Sequence, residues 1–292
     1  MAQLRDKTIS VVDIKEYLKT QDDFALELHV YEVARRLGLS ASHGGTYEDP
    51  VTRKPRQYDL RAAAERQIQR IDLAIECKAL RSSYPLVLSR IRRSAEESFH
   101  QVILSCDPPP RRGPEPSIPL GEGTVVLSIT GRESIYKPGE HVGKSTAQVG
   151  RTEKGEFVSG DGQVFDKWYQ ALGSADDLVS AAEGAHEHRA TAMFLTAVLP
   201  VLVVSDDTLW VADYSDAGGL EGDPSQASEA TLFVGRTYSL GAQETCVLSH
   251  LHIYTRTAIA AFLERVAKDD NLWDSVFPPR TIQREIKRLL DL

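Results

Sequence analysis

Residues 71–78 read Ile71-Asp72-Leu73-Ala74-Ile75-Glu76-Cys77-Lys78, an apolar run that ends in a carboxylate and an amine. Because side chains alternate along a β-strand, Ile71, Leu73, Ile75 and Cys77 share one face, and Glu76 and Lys78 share the other. Charges on a strand that otherwise favours burial are costly unless they serve a site. The run therefore predicts a buried strand with a charged, functional face at its end.

Asp59 is the predicted partner of Glu76 on a neighbouring strand. In an antiparallel hairpin, directly opposed residues have a constant index sum and lie on the same face. Asp59 opposes Glu76 if the turn is centred between Gln67 and Ile68. The segment Ala64-Glu65-Arg66-Gln67 has none of the Gly, Asn or Pro residues that tight turns favour, so a wider loop over 63–69 is the alternative.

Two carboxylates and an amine at this spacing suit metal-dependent phosphodiester cleavage. Mg²⁺ takes one or two carboxylate ligands, neutralises phosphoryl oxygens and lowers the pKa of a bound water. We expect Asp59 and Glu76 to hold Mg²⁺, with Mn²⁺ as a substitute, and Lys78 to orient the water or stabilise charge on phosphorus. Asp72 shares the face of Glu76, but four strand positions put it about 13 Å away, so Asp59 is preferred.

These residues resemble the PD-(D/E)xK, or restriction-endonuclease-like, nucleases. Tyr58-Asp59 followed by Glu76-Cys77-Lys78 is similar to the two-strand core of that family, with Tyr58 in place of the usual proline. The segment 22–38 is similar to the family's leading helix. Within it the resemblance implies Glu32 as the auxiliary acid, with Glu27 as the second choice.

The resemblance also implies the fold and one more site residue. The family's downstream helix often carries a glutamine near the site, and Gln170 matches it. The implied fold is α/β, with a mixed central β-sheet flanked by helices. We expect one elaborated nuclease domain over 1–292, made of a core at about 22–80 and 165–215, a long inserted loop region at about 82–164, and a C-terminal extension of strands and helices at 230–292.

Apolar spacing, caps and turn residues predict the other elements. Helices are predicted over about 22–38, 90–104, 165–182, 257–268 and 281–292. Strands are predicted over about 124–129, 231–234 and 245–253, and residues 197–214 are predicted to form a hairpin or a strand pair that completes the sheet. Residues 106–119, with six prolines, and the polar, glycine-rich residues 131–164 are predicted as loops.

Composition describes an ordinary globular protein. Of 292 residues, 41% are hydrophobic and 26% are charged. No run approaches the length of a membrane span, and residues 1–12 lack the basic and apolar blocks of a secretory signal. The three cysteines are scattered and odd in number, which argues for a reducing compartment. We expect a cytoplasmic protein with no membrane partner.

The basic residues are concentrated around the predicted site. Although the net charge is -8, residues 51–112 hold 13 Lys and Arg against 7 Asp and Glu. The segment 139–145 resembles a phosphate-binding P-loop, but it has three residues between its glycines where the motif needs four. The predicted phosphate contacts are Arg53, Lys54, Arg56, Arg90, Arg92, Arg93 and Lys144.

Two classes of function are compatible with these observations. The first is a Mg²⁺-dependent DNA endonuclease of restriction or anti-phage defence type, for which a homodimer or higher oligomer would suit the cutting of both strands. The second is a catalytically silent nucleic-acid-binding or assembly protein with the same fold. A third reading is an effector that acts only when a regulatory partner or small ligand binds, with residues 131–164 as the responsive segment.

Overall fold

The structure is a computed structural model that describes residues 8–20, 23–106, 123–160, 162–189, 191–240 and 244–290. The helices are α1 (Val11–Thr20), α2 (Asp23–Arg36), α3 (Gly162–Ala181), α4 (Ala258–Lys268), α5 (Asp270–Val276) and α6 (Pro279–Leu290). The strands are β1 (Ser40–His43), β2 (Thr46–Glu48), β3 (Pro55–Gln57), β4 (Leu60–Arg66), β5 (Gln69–Lys78), β6 (Leu86–Arg92), β7 (Phe99–Cys106), β8 (Thr124–Thr130), β9 (His141–Arg151), β10 (Phe157–Gly160), β11 (Met193–Val204), β12 (Leu209–Asp213), β13 (Ser225–Gln226), β14 (Glu229–Leu240) and β15 (Glu244–Thr255).

A large mixed sheet organises the described residues. Ten strands follow the order β1-β4-β5-β11-β15-β14-β9-β6-β12-β13, β7 pairs with β11 and β8, and β10 pairs with β9. The central strand β11 runs parallel to both β5 and β15, whereas β4 is antiparallel to β5. The predicted class, α/β with a mixed sheet flanked by helices, is confirmed at this level.

The faces of β5 explain how helices cover the sheet. Ile71, Leu73 and Ile75 are fully buried in a core that also contains the α2 residues Leu26 and Val30. Residues of opposite parity face α3, where Ala74 packs in a second core with Ala175 and Val179 of α3. Glu76 has the parity of Ala74, so strand alternation turns its carboxylate towards α3.

The predicted hairpin register is confirmed. Leu60 pairs with Ile75 across β4 and β5, and this register places Asp59 opposite Glu76. The turn is the tight one, centred at Gln67 and Ile68, rather than the wider loop. Gln67 takes a positive φ of 52°, which explains how the turn forms without glycine. The helix predictions at 22–38, 165–182 and 257–268 are also confirmed, although Asp22 lies outside the described residues.

Two element predictions were wrong. Residues 90–104 form parts of β6 and β7 instead of a helix, and the consecutive residues Val102, Ile103 and Leu104 are all buried, as in a strand that is covered on both faces. Residues 131–164 include β9, which pairs with β14 and β6 inside the sheet, so this segment is not only a surface loop. The two strands predicted within 197–214 are present as β11 and β12, and both belong to the sheet, but they do not form a hairpin because β12 pairs with β6. The proline-rich segment lies outside the described residues from 107 onwards.

A small antiparallel pair, β2 with β3, projects beside α3, and we call residues 46–57 the β2–β3 arm. Tyr47 anchors it, since its ring is buried and its hydroxyl donates to the Gln170 carbonyl oxygen at 3.3 Å. Gly173 allows this approach, because a Cβ there would lie 2.8 Å from the Tyr47 hydroxyl oxygen. The arm is therefore held against α3 by a close contact.

A buried polar cluster joins β6, β14 and β15. The guanidinium of Arg93 donates from Nε to His250 Nε2 at 3.1 Å and from a terminal nitrogen to Thr231 Oγ1 at 3.0 Å. The Tyr136 ring stacks on His250 at 3.7 Å between centroids, and its hydroxyl is hydrogen-bonded to His252. Burial lowers the pKa of His250 to about 2 and that of His252 to about 4. These histidines are core groups that remain neutral.

The buried histidines predict a loss of stability in acid. An unfolded histidine binds a proton near pH 6.5, whereas folded His252 binds one only near pH 4, so the unfolded chain holds more protons between these values. The free energy of unfolding should fall as pH drops through this window. In His252→Gln the slope should be shallower by about 1 kcal/mol per pH unit. Urea unfolding at several pH values measures it, and an unchanged slope in folded His252→Gln would contradict the assignment of His252 to the neutral core.

Candidate functional site

Asp59 and Glu76 lie together where β4 begins and β5 approaches its end. The Glu76 side chain is completely buried, and its Oε1 accepts a hydrogen bond from the Asp59 backbone N–H at 3.2 Å. Asp59 Oδ2 in turn accepts from the Cys77 backbone N–H at 2.8 Å. The paired strands thus supply both the carboxylates and the amides that orient them.

A lysine from α3 lies between the two carboxylates. Lys167 Nζ is 3.0 Å from Asp59 Oδ1, 2.7 Å from Asp59 Oδ2 and 3.3 Å from Glu76 Oε2. One ammonium therefore contacts three carboxylate oxygens. This geometry establishes that the pair can bind a positive charge between its members.

Both Glu76 and Lys167 have a raised pKa, but for different reasons. Burial, reinforced by the neighbouring charge of Asp59, raises the pKa of Glu76 well above its ordinary value. Burial opposes the charge of Lys167, but the carboxylates of Glu76 and Asp59 outweigh it and raise the pKa of Lys167. Lys167 therefore stays protonated and acts as a hydrogen-bond donor, not as a base.

Asp59 lines a cavity of about 560 Å³, which we call the site cavity, and Glu76 lies behind Asp59 and Lys167, fully buried. Gln170 contributes to its wall, as the family resemblance implied, and lies one helical turn after Lys167. Glu27 also lines it. The site cavity is lined by Phe24, Glu27, Lys54, Pro55, Arg56, Gln57, Asp59, Lys167 and Gln170.

Glu27 is the acid of α2 that the structure brings to the cavity. Its Oε2 lies 2.9 Å from His43 Nε2, and the His43 ring lies between Phe24 and Tyr31. Burial and the charge of Asp59 raise the pKa of Glu27. A carboxyl with this environment is suited to handling a proton near the carboxylate pair.

Glu32, the first choice for the auxiliary acid, is not brought to the site. Its side chain is 70% exposed and forms an ion pair with Arg35 at 4.0 Å. At about 100° per residue, it is rotated roughly 140° from Glu27 around α2. The helical phase was the available signal, since Glu27 flanks the buried stripe of Leu26 and Val30 and Glu32 is opposite it.

Lys78 is not brought to the carboxylate pair either. Its Nζ donates to Asp23 Oδ2 at 2.9 Å, and Asp23 Oδ1 accepts from the Ala79 backbone N–H at 2.6 Å. Lys78 is the last residue of β5, and Asp23 is the first of α2. Its ammonium therefore ties the helix to the strand end instead of contacting Glu76.

Three of the predicted phosphate contacts lie on the β2–β3 arm. Arg53 is at its turn with a side chain that is 77% exposed, and Lys54 and Arg56 line the site cavity. Arg56 also pairs with Asp49 at 3.0 Å. The arm thus places positive charge at the mouth of the cavity.

The other four predicted contacts lie elsewhere. Arg90, Arg92 and Lys144 are on β6 and β9, which are five and four strands from β5, a separation of about 20 Å or more at the usual strand spacing. Arg90 forms a two-pronged pair with Asp213, and Lys144 pairs with Glu97. Arg93 is only 4% exposed, and its guanidinium donates to residues of the buried polar cluster. Its prediction as a phosphate contact is therefore wrong.

Lys167 and His43 were missed from the sequence. Lys167 carried a signal, because it lies three residues before Gln170 and so shares its helical face. His43 carried none, since it reaches Glu27 only when β1 pairs with β4 beside α2.

Within the described ranges, no group of three or more His, Cys, Asp or Glu residues has the arrangement of a metal site. In the same ranges, none of the helices is both long and apolar enough to cross a bilayer.

No protein-family model, curated protein or solved structure matches this chain.

Arg92 and Arg93 are adjacent in the chain, but Arg92 is exposed and Arg93 is buried. Arg93→Ala should lower the free energy of unfolding by about 3–5 kcal/mol, because it leaves buried polar partners unpaired. Arg92→Ala should change it by no more than about 0.5 kcal/mol, since Arg92 is exposed. Urea unfolding of both variants measures the difference, and similar losses would contradict the assignment of Arg93 to the core.

Proposed function

We propose that this chain is a Mg²⁺-dependent nuclease that hydrolyses phosphodiester bonds of DNA, as an endonuclease of restriction or anti-phage defence type. The observation that carries the proposal is the pair of carboxylates, Asp59 and Glu76, which share one positive charge at the end of two paired strands. Asp59 and Lys167 line a cavity whose wall also includes the basic residues Lys54 and Arg56. Anionic substrates and a divalent cation both suit this distribution of charge.

The donor set fits Mg²⁺. Asp59 and Glu76 present oxygen atoms only, and three of these already surround an ammonium at 2.7–3.3 Å. Mg²⁺ is commonly held by one or two carboxylates and keeps several waters, so a pair without a third protein ligand is sufficient. When bound, the ion would supply Lewis acidity and a water of lowered pKa. Mn²⁺ would substitute because it prefers the same oxygen ligands.

The chain's own residues bind and orient the substrate. Arg53, Lys54 and Arg56 would attract phosphates to the cavity mouth, and the anchored arm keeps them in place. Gln170 offers an amide on the cavity wall. Glu27, with its raised pKa and its contact with His43, is placed to take up or release a proton near the carboxylates.

The proposal extends to the restriction-endonuclease-like core. The confirmed register of β4 and β5, with α2 packed on the opposite face of β5, supports the two-strand core that the sequence resembles. The approach of Gln170 to the cavity adds a further point of agreement.

A specific observation favours one alternative. The Lys167 ammonium already lies between the two carboxylates and balances one of their two charges, which is what a nucleic-acid-binding protein without catalytic activity would require. A partner-gated effector is the related possibility, in which the ammonium leaves only when a partner binds. Metal binding by the isolated protein discriminates the nuclease from both.

Cleavage of supercoiled plasmid tests the proposed activity. Wild-type protein should cut with Mg²⁺ or Mn²⁺ and not with EDTA. Asp59→Asn should reduce the rate by about 100-fold or more, because one of the two metal-holding carboxylates is lost. Gel analysis would show nicked and linear products if cutting is internal.

The matched control is Glu32→Gln, which removes an exposed carboxylate from α2 and should retain wild-type cleavage. Equal cleavage by Asp59→Asn and wild type would contradict the assignment of the site, provided that circular dichroism shows both proteins to be folded. Absence of cleavage and of metal binding in wild type would contradict the nuclease and favour the silent protein or the partner-gated effector.

The arm should carry part of the electrostatic binding of DNA. Each phosphate contact contributes about 0.9 to the slope of log affinity against log salt concentration. Lys54→Ala should therefore reduce the magnitude of this slope by about 1. Fluorescence anisotropy in EDTA, at several salt concentrations, measures it. Arg92→Ala should leave the slope unchanged, and an equal effect of the two variants would place the DNA elsewhere.

A further inference from the structure

Two lysines approach the carboxylate region, and their partners differ. The Lys78 ammonium contacts Asp23, whereas the Lys167 ammonium contacts both Asp59 and Glu76. The chemistry of phosphodiester cleavage benefits from one amine near the phosphorus. Lys78 and Lys167 are the two candidates for this amine.

The contacts of Lys78 are those of a structural residue. Asp23 uses one carboxylate oxygen for the Lys78 ammonium and the other for the Ala79 backbone N–H. This arrangement holds the first turn of α2 against the end of β5. A Lys78 that left Asp23 would release this junction.

The position of Lys167 is fixed by the packing of α3. Arg61 donates to Ser174 and to Asp177, and Tyr238 donates to the Leu172 carbonyl oxygen at 2.8 Å. Together with the Tyr47 contact, these bonds attach α3 to β4, β14 and the β2–β3 arm. The lysine is therefore delivered by a helix that is held in place, and its side chain is 19% exposed at the cavity.

We infer that Lys167, rather than Lys78, is the catalytic amine, serving as counter-cation of the free carboxylate pair and as hydrogen-bond donor to the phosphate of bound DNA. This inference rests on the proposed function. In hydrolysis the oxygen of water forms a bond to phosphorus, one phosphorus–oxygen ester bond breaks, and the leaving oxygen gains a proton that water loses. Lys167 stabilises the charge that develops on the phosphoryl oxygens and transfers no proton itself.

A double role has a measurable consequence. Because the ammonium and a divalent cation compete for the same carboxylate oxygens, removing the ammonium should strengthen metal binding while it weakens cleavage. Replacement of a residue that only supports the fold would weaken both metal binding and cleavage. The two readouts therefore separate catalysis from structure.

The experiment compares Lys167→Met with Lys78→Met in the full chain. Mn²⁺ affinity is measured by titration calorimetry, and plasmid cleavage is measured at saturating Mn²⁺. For Lys167→Met we expect about tenfold tighter Mn²⁺ binding, as a competing charge is removed, and cleavage about 100-fold slower. For Lys78→Met we expect a smaller loss of cleavage, unchanged Mn²⁺ affinity and a lower melting temperature. Lys268→Met, at an exposed position on α4, is the control for both assays.

Lys167→Arg covers the case in which methionine disturbs folding. It retains the positive charge, so Mn²⁺ affinity should stay near the wild-type value and cleavage should exceed that of Lys167→Met. Weaker Mn²⁺ binding in folded Lys167→Met, or a larger loss of cleavage in Lys78→Met than in either Lys167 variant, would overturn the inference.

Failure of the proposed function has a different signature. If wild-type protein neither binds Mn²⁺ nor cleaves DNA, the nuclease proposal fails and the inference falls with it. If wild-type protein binds and cleaves but the lysine variants show the reversed pattern, the nuclease proposal stands and only the role of Lys167 is lost.

Discussion

Hydrogen bonding between β4 and β5 sets the positions of the groups around the site cavity. Leu60 pairs with Ile75, so Asp59 faces Glu76 across the strands, and each carboxylate accepts from a backbone amide of the other strand. A slip of one residue would move Glu76 to the α2 face and bury it among apolar side chains. The tight turn at Gln67 prevents that slip by fixing the loop length.

Burial makes this pairing expensive, and the surrounding residues offset the cost. A carboxylate removed from water costs several kcal/mol unless it is paired and hydrogen-bonded. Glu76 is fully buried, and it obtains an amide from Asp59 and an ammonium from Lys167. Alanines at 171 and 175 let α3 pack close to the sheet. A hydrophobic core in the same place would not have this desolvation cost. Buried charged clusters of this kind are typical of functional sites.

Local patterns in the sequence predicted the parts of the fold that depend on one or two neighbouring elements. Strand parity, helical stripes and the constant index sum of a hairpin all act over short distances, and they located β5, α2, α3 and the Asp59–Glu76 pair. They failed where a short apolar run suits either helix or strand, as at 90–104. They failed also in 131–164, where the polar composition of β9 concealed a strand that pairs on both edges.

The sequence alone therefore established the carboxylate pair and the elements that carry it, because periodicity and pairing register are written into nearby residues. The identity of the amine and the burial of Arg93 emerged only when distant segments packed together, whereas the helical phase of α2 already distinguished Glu27 from Glu32. Lys167 reaches Asp59 across 108 residues, and Arg93 reaches His250 across 157. Contacts at such separations depend on how the sheet is assembled and which helix covers each face, and spacing along the chain does not encode them.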